Sequence, residues 1–190
     1  PALISWRGLA ILSKVYRLYG VVRLRHLHDW IKTWEKEELF AGTTAPTGAE
    51  DAWFLLGMDL EMARLSGMDF TGGSGDIWKC FDQAQRKLLY HLLEAAGFPK
   101  PILRAYSAFH EKVNYHNSIS GGLGAPHWKP CSIPQGCPFS MMAVALLTRP
   151  WLVSMKKMSI RPRTLADDLL LYAAGDGHAE RFVRALHWTK

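Results

Sequence analysis

The stretch 163–174 limits the possible folds most strongly. Two apolar segments flank the adjacent acidic residues Asp167 and Asp168. Leu and Tyr suit strands, whereas Asp is frequent in turns because its side chain bonds to nearby backbone. The pattern predicts a β-hairpin with both aspartates at its turn. A helix is the alternative, because three apolar residues also share helical spacing: Leu165, Leu169 and Tyr172.

The rest of the chain alternates helical patterns with short extended ones. Apolar periodicity predicts six helices. They cover 9–33, about 48–65, 84–96, a short segment that ends near 109, 138–157, and a last segment that begins near 176. Pro150 should interrupt or end the fifth of these. One strand is predicted just before Asp76, although Gly72, Gly73 and Gly75 weaken that prediction. A second is predicted over 112–120, followed by a turn at 121–124 and a return strand over 126–132. The fold class predicted is α+β.

Composition excludes several classes of protein. The chain has 190 residues, 48% of them hydrophobic, which suffices for a packed domain and argues against disorder. The excess of 23 basic over 17 acidic residues suits a polyanionic partner without establishing one. Three cysteines in no metal-ligand spacing predict reduced thiols in the cytoplasm or nucleus. No apolar run approaches the roughly 18 residues of a membrane span.

Both ends of the sequence predict a piece of a longer protein. The chain starts at Pro1 without an initiator methionine, and a helical pattern still runs at Lys190.

Adjacent aspartates acquire chemical meaning when further carboxylates converge on them. Phosphoryl transfer to a 3′-hydroxyl needs charge neutralised on the attacking and leaving oxygens, which two Mg²⁺ about 4 Å apart achieve when carboxylates hold them. The stretch 76–82 supplies a candidate partner, since it begins with Asp76 and ends with Phe81 and Asp82. Clustered carboxylates repel by roughly 4 kcal/mol per pair at 4 Å, so such a cluster is tolerable mainly with bound cations.

Three short motifs in a fixed order point to one family. Asp76 to Asp82 comes first, a Pro134-Gln135-Gly136 segment with Ser140 follows, and Leu165 to Asp168 comes last. This order resembles the palm motifs of reverse transcriptases, most closely those of non-LTR retrotransposons and group II introns. The segment 6–19 is similar to the retrotransposon fingers motif, and the segment 40–52 resembles the loop and helix that follow it.

The resemblance implies a right-hand polymerase fold. Residues 1–65 would form part of the fingers. Residues 66–190 would form part of the palm, a small antiparallel sheet backed by helices, with a fingers insertion near 110–132. The thumb would be absent, so the isolated piece is expected to be inactive.

The family's metal ligands map onto four positions of this chain. By resemblance Asp76 and Asp167 would be the principal ligands of two Mg²⁺, with Mn²⁺ as a possible substitute. Asp168 would assist them, and the backbone carbonyl of Ile77 would complete one metal shell. A solvated acidic loop is the structural alternative for the same residues.

Five further residues carry nucleotide-binding expectations by resemblance. Phe81 would be the aromatic gate that collides with a ribonucleotide 2′-hydroxyl, and Gln135 and Gly136 would line the nucleotide and template pocket. Arg7 and Arg17 would contact the triphosphate, because guanidinium groups bind phosphate bidentately. The alternatives are a core aromatic, a simple turn before a helix, and surface charges.

The chain departs from the family pattern at four places. Leu165 stands where the family has Tyr or Phe, Met141 replaces a Pro after Ser140, and Gly8 replaces a Pro after Arg7. The glycine run 72–75 is unusual for a strand that presents a catalytic aspartate.

The sequence therefore predicts an RNA-directed DNA polymerase core that extends a DNA primer on an RNA template with deoxynucleoside triphosphates. A catalytically decayed nucleic-acid-binding remnant is the alternative, favoured by Leu165 and the glycine run. An RNA-dependent RNA polymerase shares the carboxylate logic, but Phe81 disfavours ribonucleotides there.

Overall fold

The computed structural model describes residues 10–189, which form an α+β fold. Its helices are α1 Lys14–His26, α2 His28–Trp34, α3 Ala49–Leu65, α4 Cys80–Gln83, α5 Arg86–Ala95, α6 Lys100–Lys112, α7 Ser140–Lys157 and α8 His178–Thr189. Its strands are β1 Phe70–Asp76, β2 Ser118–Ile119, β3 Gly122–Leu123, β4 Arg161–Leu165 and β5 Asp168–Ala174. None of the helices in the range 10–189 is long and apolar enough to cross a membrane.

The contacts divide the chain into two compact units. Unit 1 contains the described residues up to Trp30 together with Lys79–Ser140, and unit 2 contains Ile31–Trp78 together with the described residues from Met141 onward. The predicted division at residue 65 into fingers and palm concerns polymerase subdomains and stays a prediction.

Unit 2 is organised around a three-stranded antiparallel sheet of order β1-β5-β4. The predicted hairpin over 163–174 is confirmed, but its turn lies one residue earlier: Ala166 and Asp167 form it, and Leu165 pairs with Asp168. Ala166 has φ of 55°, as expected for the first residue of a type II′ hairpin turn. The shift escaped the sequence pattern because a turn at Asp167 and Asp168 would leave the same side chains on each face.

One face of this sheet is packed. Leu171 and Ala173 of β5 join Met155 of α7 and Ala185 of α8 in a buried apolar cluster, against which Phe182 packs. The glycine run serves this packing, because a Cβ at Gly73 would lie 3.2 Å from the Phe182 ring. The predicted strand before Asp76 is thus confirmed despite its glycines. Its lost strand propensity is offset by the close approach of α8.

The opposite face of the sheet is attached to α3 at one side only. Asp59 of α3 forms ion pairs with Arg161 and Arg163 of β4, and its backbone carbonyl accepts a hydrogen bond from Tyr172 at 3.3 Å. The predicted helix to residue 65 is confirmed as α3. The rest of this face carries the acidic residues considered below.

Unit 1 packs α1, α5 and α6 around aromatic side chains. Tyr16 of α1 stacks on Phe109 of α6 with ring centroids 3.6 Å apart. A Cβ at Gly20 would lie 2.8 Å from the Pro138 ring, so glycine permits the close approach of α1. Ser13 caps α1 by accepting a hydrogen bond from the Tyr16 backbone N–H at 3.2 Å.

The single helix predicted over 9–33 is wrong in two respects. The structure has two helices, α1 and α2, and α1 buries Tyr16 and Gly20 rather than the apolar residues whose periodicity predicted the helix. Val15, Leu18 and Val22 are exposed on its outer side. Several apolar positions of α1 fit more than one face, so periodicity alone did not select the buried one.

Two further expectations need correction. The strand predicted over 112–120 is mostly absent, because a buried stripe of α6 at Ile102, Tyr106 and His110 extends that helix to Lys112. Of the predicted hairpin, Ser118–Ile119 pairs with β3, and Tyr115 forms an isolated antiparallel bridge with His127 in the predicted return. Pro150 lies inside α7 without ending it, although proline in a helix costs about 3 kcal/mol. Buried residues on both sides of Pro150, among them Leu146 and Leu152, favour the continuous helix.

Candidate functional site

Two of the three predicted aspartates form a cross-strand pair. Asp76 is the last residue of β1, Asp168 is the first of β5, and the two are directly opposite in the antiparallel register. Directly opposite residues point to the same face with Cβ atoms about 5 Å apart. Leu165 is opposite Asp168 on the other side. One row across the sheet therefore reads Asp76, Asp168, Leu165.

The third aspartate lies in the hairpin turn beside this row. The backbone carbonyl of Asp167 accepts a hydrogen bond from the Ile77 N–H at 3.0 Å. This bond extends the β1–β5 ladder by one step and ties the turn to the residue after Asp76. The chain thus brings Asp76, Ile77, Asp167 and Asp168 to one corner of the sheet.

Electrostatics make this corner costly without a cation. Asp76 and Asp168 are exposed, and neither has an ion-pair partner within residues 10–189. Like charges directly opposite in a sheet are destabilising. Because both residues are exposed, the repulsion is about 0.5 kcal/mol, within the range of cross-strand pair energies. A bound cation would remove this cost.

The same corner meets some but not all requirements of a metal site. Two carboxylates on one face of a sheet suit a divalent cation such as Mg²⁺, which prefers oxygen ligands and keeps several waters. Within residues 10–189, however, no group of three or more His, Cys, Asp or Glu side chains is arranged to hold a metal. The backbone positions of the pair fit a cation, whereas the three-carboxylate ligand set predicted by resemblance is not formed.

Phe81 belongs to unit 1 and sits in the short helix α4. Its backbone carbonyl accepts a hydrogen bond from the Ile133 N–H at 2.7 Å, and the Ala84 carbonyl accepts one from Ser132 at 2.9 Å. These bonds join the segment of the first motif to the start of the second. The Phe81 side chain is half-buried, so part of the ring remains accessible.

Gln135 and Gly136 lie in the turn that follows. The Pro134 carbonyl accepts a hydrogen bond from the Cys137 N–H at 2.9 Å, while Gln135 and Gly136 are exposed. A Cβ at Gly136 would come within 2.5 Å of the Ala10 carbonyl oxygen. Gly136 thus has a packing reason inside unit 1, independent of any nucleotide.

Of the two arginines predicted to bind phosphate, only Arg17 lies within the described residues. Arg17 is exposed on α1 in unit 1. Arg7 lies outside the described residues.

Sequence reasoning missed two buried polar residues of unit 1, Arg86 and His110. Arg86 is 2% exposed and His110 is fully buried. A signal was present, because Arg86 precedes Leu89 and Leu93 at helical spacing and therefore lies on the buried stripe of α5.

Comparison with known proteins does not extend these observations. No protein-family model matches the chain, and no curated protein sequence matches it significantly.

Proposed function

We propose that this chain is the core of an RNA-directed DNA polymerase, which adds deoxynucleotides to the 3′-end of a DNA primer on an RNA template. One observation carries the proposal. The facing Asp76–Asp168 pair places two negative charges without ion-pair partners at one exposed corner of an antiparallel sheet, beside the turn that contains Asp167. The three motifs that supply these residues stand in the order of the reverse-transcriptase palm.

Each aspartate has a distinct part in this proposal. Asp76 and Asp168 contribute the facing carboxylates, and the Asp167 side chain would have to turn toward them to add a third when metal binds. Two Mg²⁺ held there would stabilise the charge on the attacking 3′-oxygen and on the leaving pyrophosphate. The hydrogen bond between Ile77 and Asp167 would keep the turn beside β1 while the carboxylates bind the metal ions.

Nucleotide selection is assigned to unit 1. Phe81 would exclude the 2′-hydroxyl of a ribonucleotide, and Gln135 would contact the nucleotide or template. Arg17 and Arg7 would bind the triphosphate. The accessible part of the Phe81 ring and the exposed Gln135 side chain support these roles.

Primer extension tests the proposal directly. The natural full-length protein is given a DNA primer on an RNA template, deoxynucleoside triphosphates and Mg²⁺. We expect extension, and we expect the Asp167→Ala, Asp168→Ala double variant to lose at least 100-fold in rate, since removing metal ligands removes the main stabilisation of the transition state.

Asp69→Ala is the matched control, because Asp69 is an exposed acid just before β1, at the end away from Asp76. It should keep the wild-type rate. If the wild-type protein extends no primer, or if the double variant extends it equally well, the polymerase proposal is wrong.

A second candidate is a nucleic-acid-binding remnant that has lost catalysis. The lack of a formed three-carboxylate metal group within residues 10–189 favours it. A Mn²⁺ titration followed by electron paramagnetic resonance separates the two. A polymerase core should bind Mn²⁺ with an affinity that Asp76→Asn lowers, whereas a remnant should show the same weak binding with and without Asp76.

A further inference from the structure

Arg86 is a buried cation for which the proposed chemistry has so far no use. It is the first residue of α5 and shares the buried side of that helix with Leu89 and Leu93. A buried charge is costly unless ion pairs and hydrogen bonds compensate it. The partners of Arg86 therefore indicate what the structure gains from burying it.

These partners come from two different segments. One guanidinium nitrogen donates to the His110 carbonyl at 2.8 Å, near the end of α6, and the other donates to the Lys129 carbonyl in the loop before the second motif. Its Nε lies 3.3 Å from a Glu111 carboxylate oxygen. The guanidinium also lies 5.3 Å from the centre of the Trp128 ring, within cation–π range. Arg86 thus fastens the loop at 128–129 to α5 and α6.

The fastened loop leads directly to the predicted nucleotide-binding residues. Cys131 donates a hydrogen bond to the Asp82 carbonyl at 3.3 Å, and Ser132 and Ile133 donate theirs to Ala84 and Phe81. Pro134 and Gln135 follow at once. The positions of Phe81 and Gln135 therefore depend on where the chain around 129–133 is held.

We propose that Arg86 is a positioning residue that fixes Phe81 and Gln135 for the binding of a deoxynucleoside triphosphate. The inference rests on the proposed function and adds a residue to it. Arg86 acts through the 129–133 segment and does not itself contact the nucleotide.

The geometry requires arginine rather than a simple positive charge. A guanidinium presents several donors in a planar fork, so it can bond to the His110 and Lys129 carbonyls together, whereas a lysine ammonium is a single point on a flexible stem. Lysine at position 86 would keep the charge beside Glu111 but could not hold both backbone segments in the same way.

The experiment measures binding of deoxyguanosine triphosphate and of guanosine triphosphate to this chain in the presence of Mn²⁺, by titration calorimetry. The variants are Arg86→Met and Arg86→Lys. Lys87→Met is the matched control, because Lys87 is the next residue of α5 and is exposed. Mn²⁺ affinity without nucleotide and amide hydrogen exchange over 127–133 are measured on the same samples.

We expect Arg86→Met to weaken deoxyguanosine triphosphate binding at least 10-fold and to bring its preference over guanosine triphosphate close to one. Exchange over 127–133 should accelerate, and Mn²⁺ affinity should stay at the wild-type value. The ratio between the two nucleotides is decisive, because a general loss of stability does not erase discrimination at the sugar. The nucleotide preference of Arg86→Lys should lie between those of the wild type and Arg86→Met, and Lys87→Met should match the wild type.

Two contrary results are distinguishable. If the wild type discriminates between the nucleotides and folded Arg86→Met does so equally well, the positioning role is wrong while the polymerase proposal stands. If the wild type binds neither nucleotide, the proposed function fails and the role of Arg86 fails with it. Should Arg86→Met not fold, Arg86→Lys decides between these results by the same ratio.

Discussion

Each unit of this protein contains one notable charged site, and the two sites differ in burial and in compensation of their charge. In unit 1 the Arg86 guanidinium is buried and surrounded by two backbone carbonyls, a carboxylate and an aromatic ring. In unit 2 the carboxylates of Asp76 and Asp168 are exposed, face each other across two strands and have no ion-pair partner within residues 10–189. The charge of Arg86 is compensated in large part, although its Nε has no hydrogen-bond partner, whereas the Asp76–Asp168 pair is not compensated.

The difference separates structural charge from charge that is free to act. A buried cation with every neighbour arranged around it holds backbone segments together and cannot receive a ligand. An exposed pair of like charges costs some stability in the free protein and remains accessible to a cation or cationic group. Such a contrast is a reason to seek chemistry in unit 2 and positioning in unit 1.

The largest expected effect tests the compensation in unit 1 through His110. Its imidazole is fully buried, its Nε2 lies 3.2 Å from the Tyr16 hydroxyl, and it also faces the Cys137 thiol. Burial, and secondarily the Arg86 charge, lowers the pKa of His110 from its usual 6.5 to about 4. The folded state therefore resists protonation that the unfolded chain accepts.

Because the folded pKa lies below the unfolded one, stability should be complete above about pH 6.5 and fall as the pH drops toward 4. The loss is about 3 kcal/mol in the free energy of unfolding. Urea unfolding at pH 7 and pH 4 measures it. His110→Gln should remove this part of the pH dependence, and His91→Gln, an exposed matched change, should retain it. An unchanged slope in His110→Gln would contradict the assignment.

A smaller effect tests whether Gly136 is needed for packing. Alanine there would place Cβ 2.5 Å from the Ala10 carbonyl, so the backbone must shift. We expect the free energy of unfolding to fall by about 2 kcal/mol, as is typical of overpacking. The measurement is thermal unfolding without any ligand.

The control for this prediction is Gly57→Ala in α3, where a Cβ would meet nothing within 4 Å. It should raise stability by about 0.5–1 kcal/mol, because alanine is the better helix former. If Gly136→Ala is as stable as the wild type, the glycine is not required by packing, and a role in ligand binding must explain it.

The sequence predicts secondary-structure elements more readily than it predicts which elements pair with each other. The hairpin at 163–174 follows from apolar pairs around turn-forming residues, and the structure confirms it. The one-residue shift of its turn was not predictable, because both registers keep the same faces buried. The pairing of Asp76 with Asp168 depends on β1 and β5, which are more than 90 residues apart, and no local pattern encodes that register.

The role of Arg86 was out of reach for a related reason. Its place on the buried side of α5 can be read from the spacing to Leu89 and Leu93. Its partners, however, are backbone carbonyls of His110 and Lys129. Every residue has a carbonyl, so no residue type in the sequence marks those two positions as acceptors.

The smallest expected effect has the opposite sign and tests the uncompensated pair in unit 2. Asp76→Asn removes one of two facing negative charges at an exposed position while keeping the side-chain shape. Without divalent cations it should raise the free energy of unfolding by about 0.5 kcal/mol, within the range of cross-strand pair energies. The gain should shrink as salt is added, because salt screens exposed charges.

Asp69→Asn provides the control, since it removes an exposed negative charge before the other end of β1. It should leave stability nearly unchanged. With millimolar Mn²⁺ the order should reverse, because the wild type gains binding energy that Asp76→Asn forfeits. If Asp76→Asn instead destabilises the cation-free protein, the Asp76–Asp168 pair is already compensated. The contrast with Arg86 would then lose its basis, and the corner of the sheet would have no more claim to a cation than any solvated acidic turn.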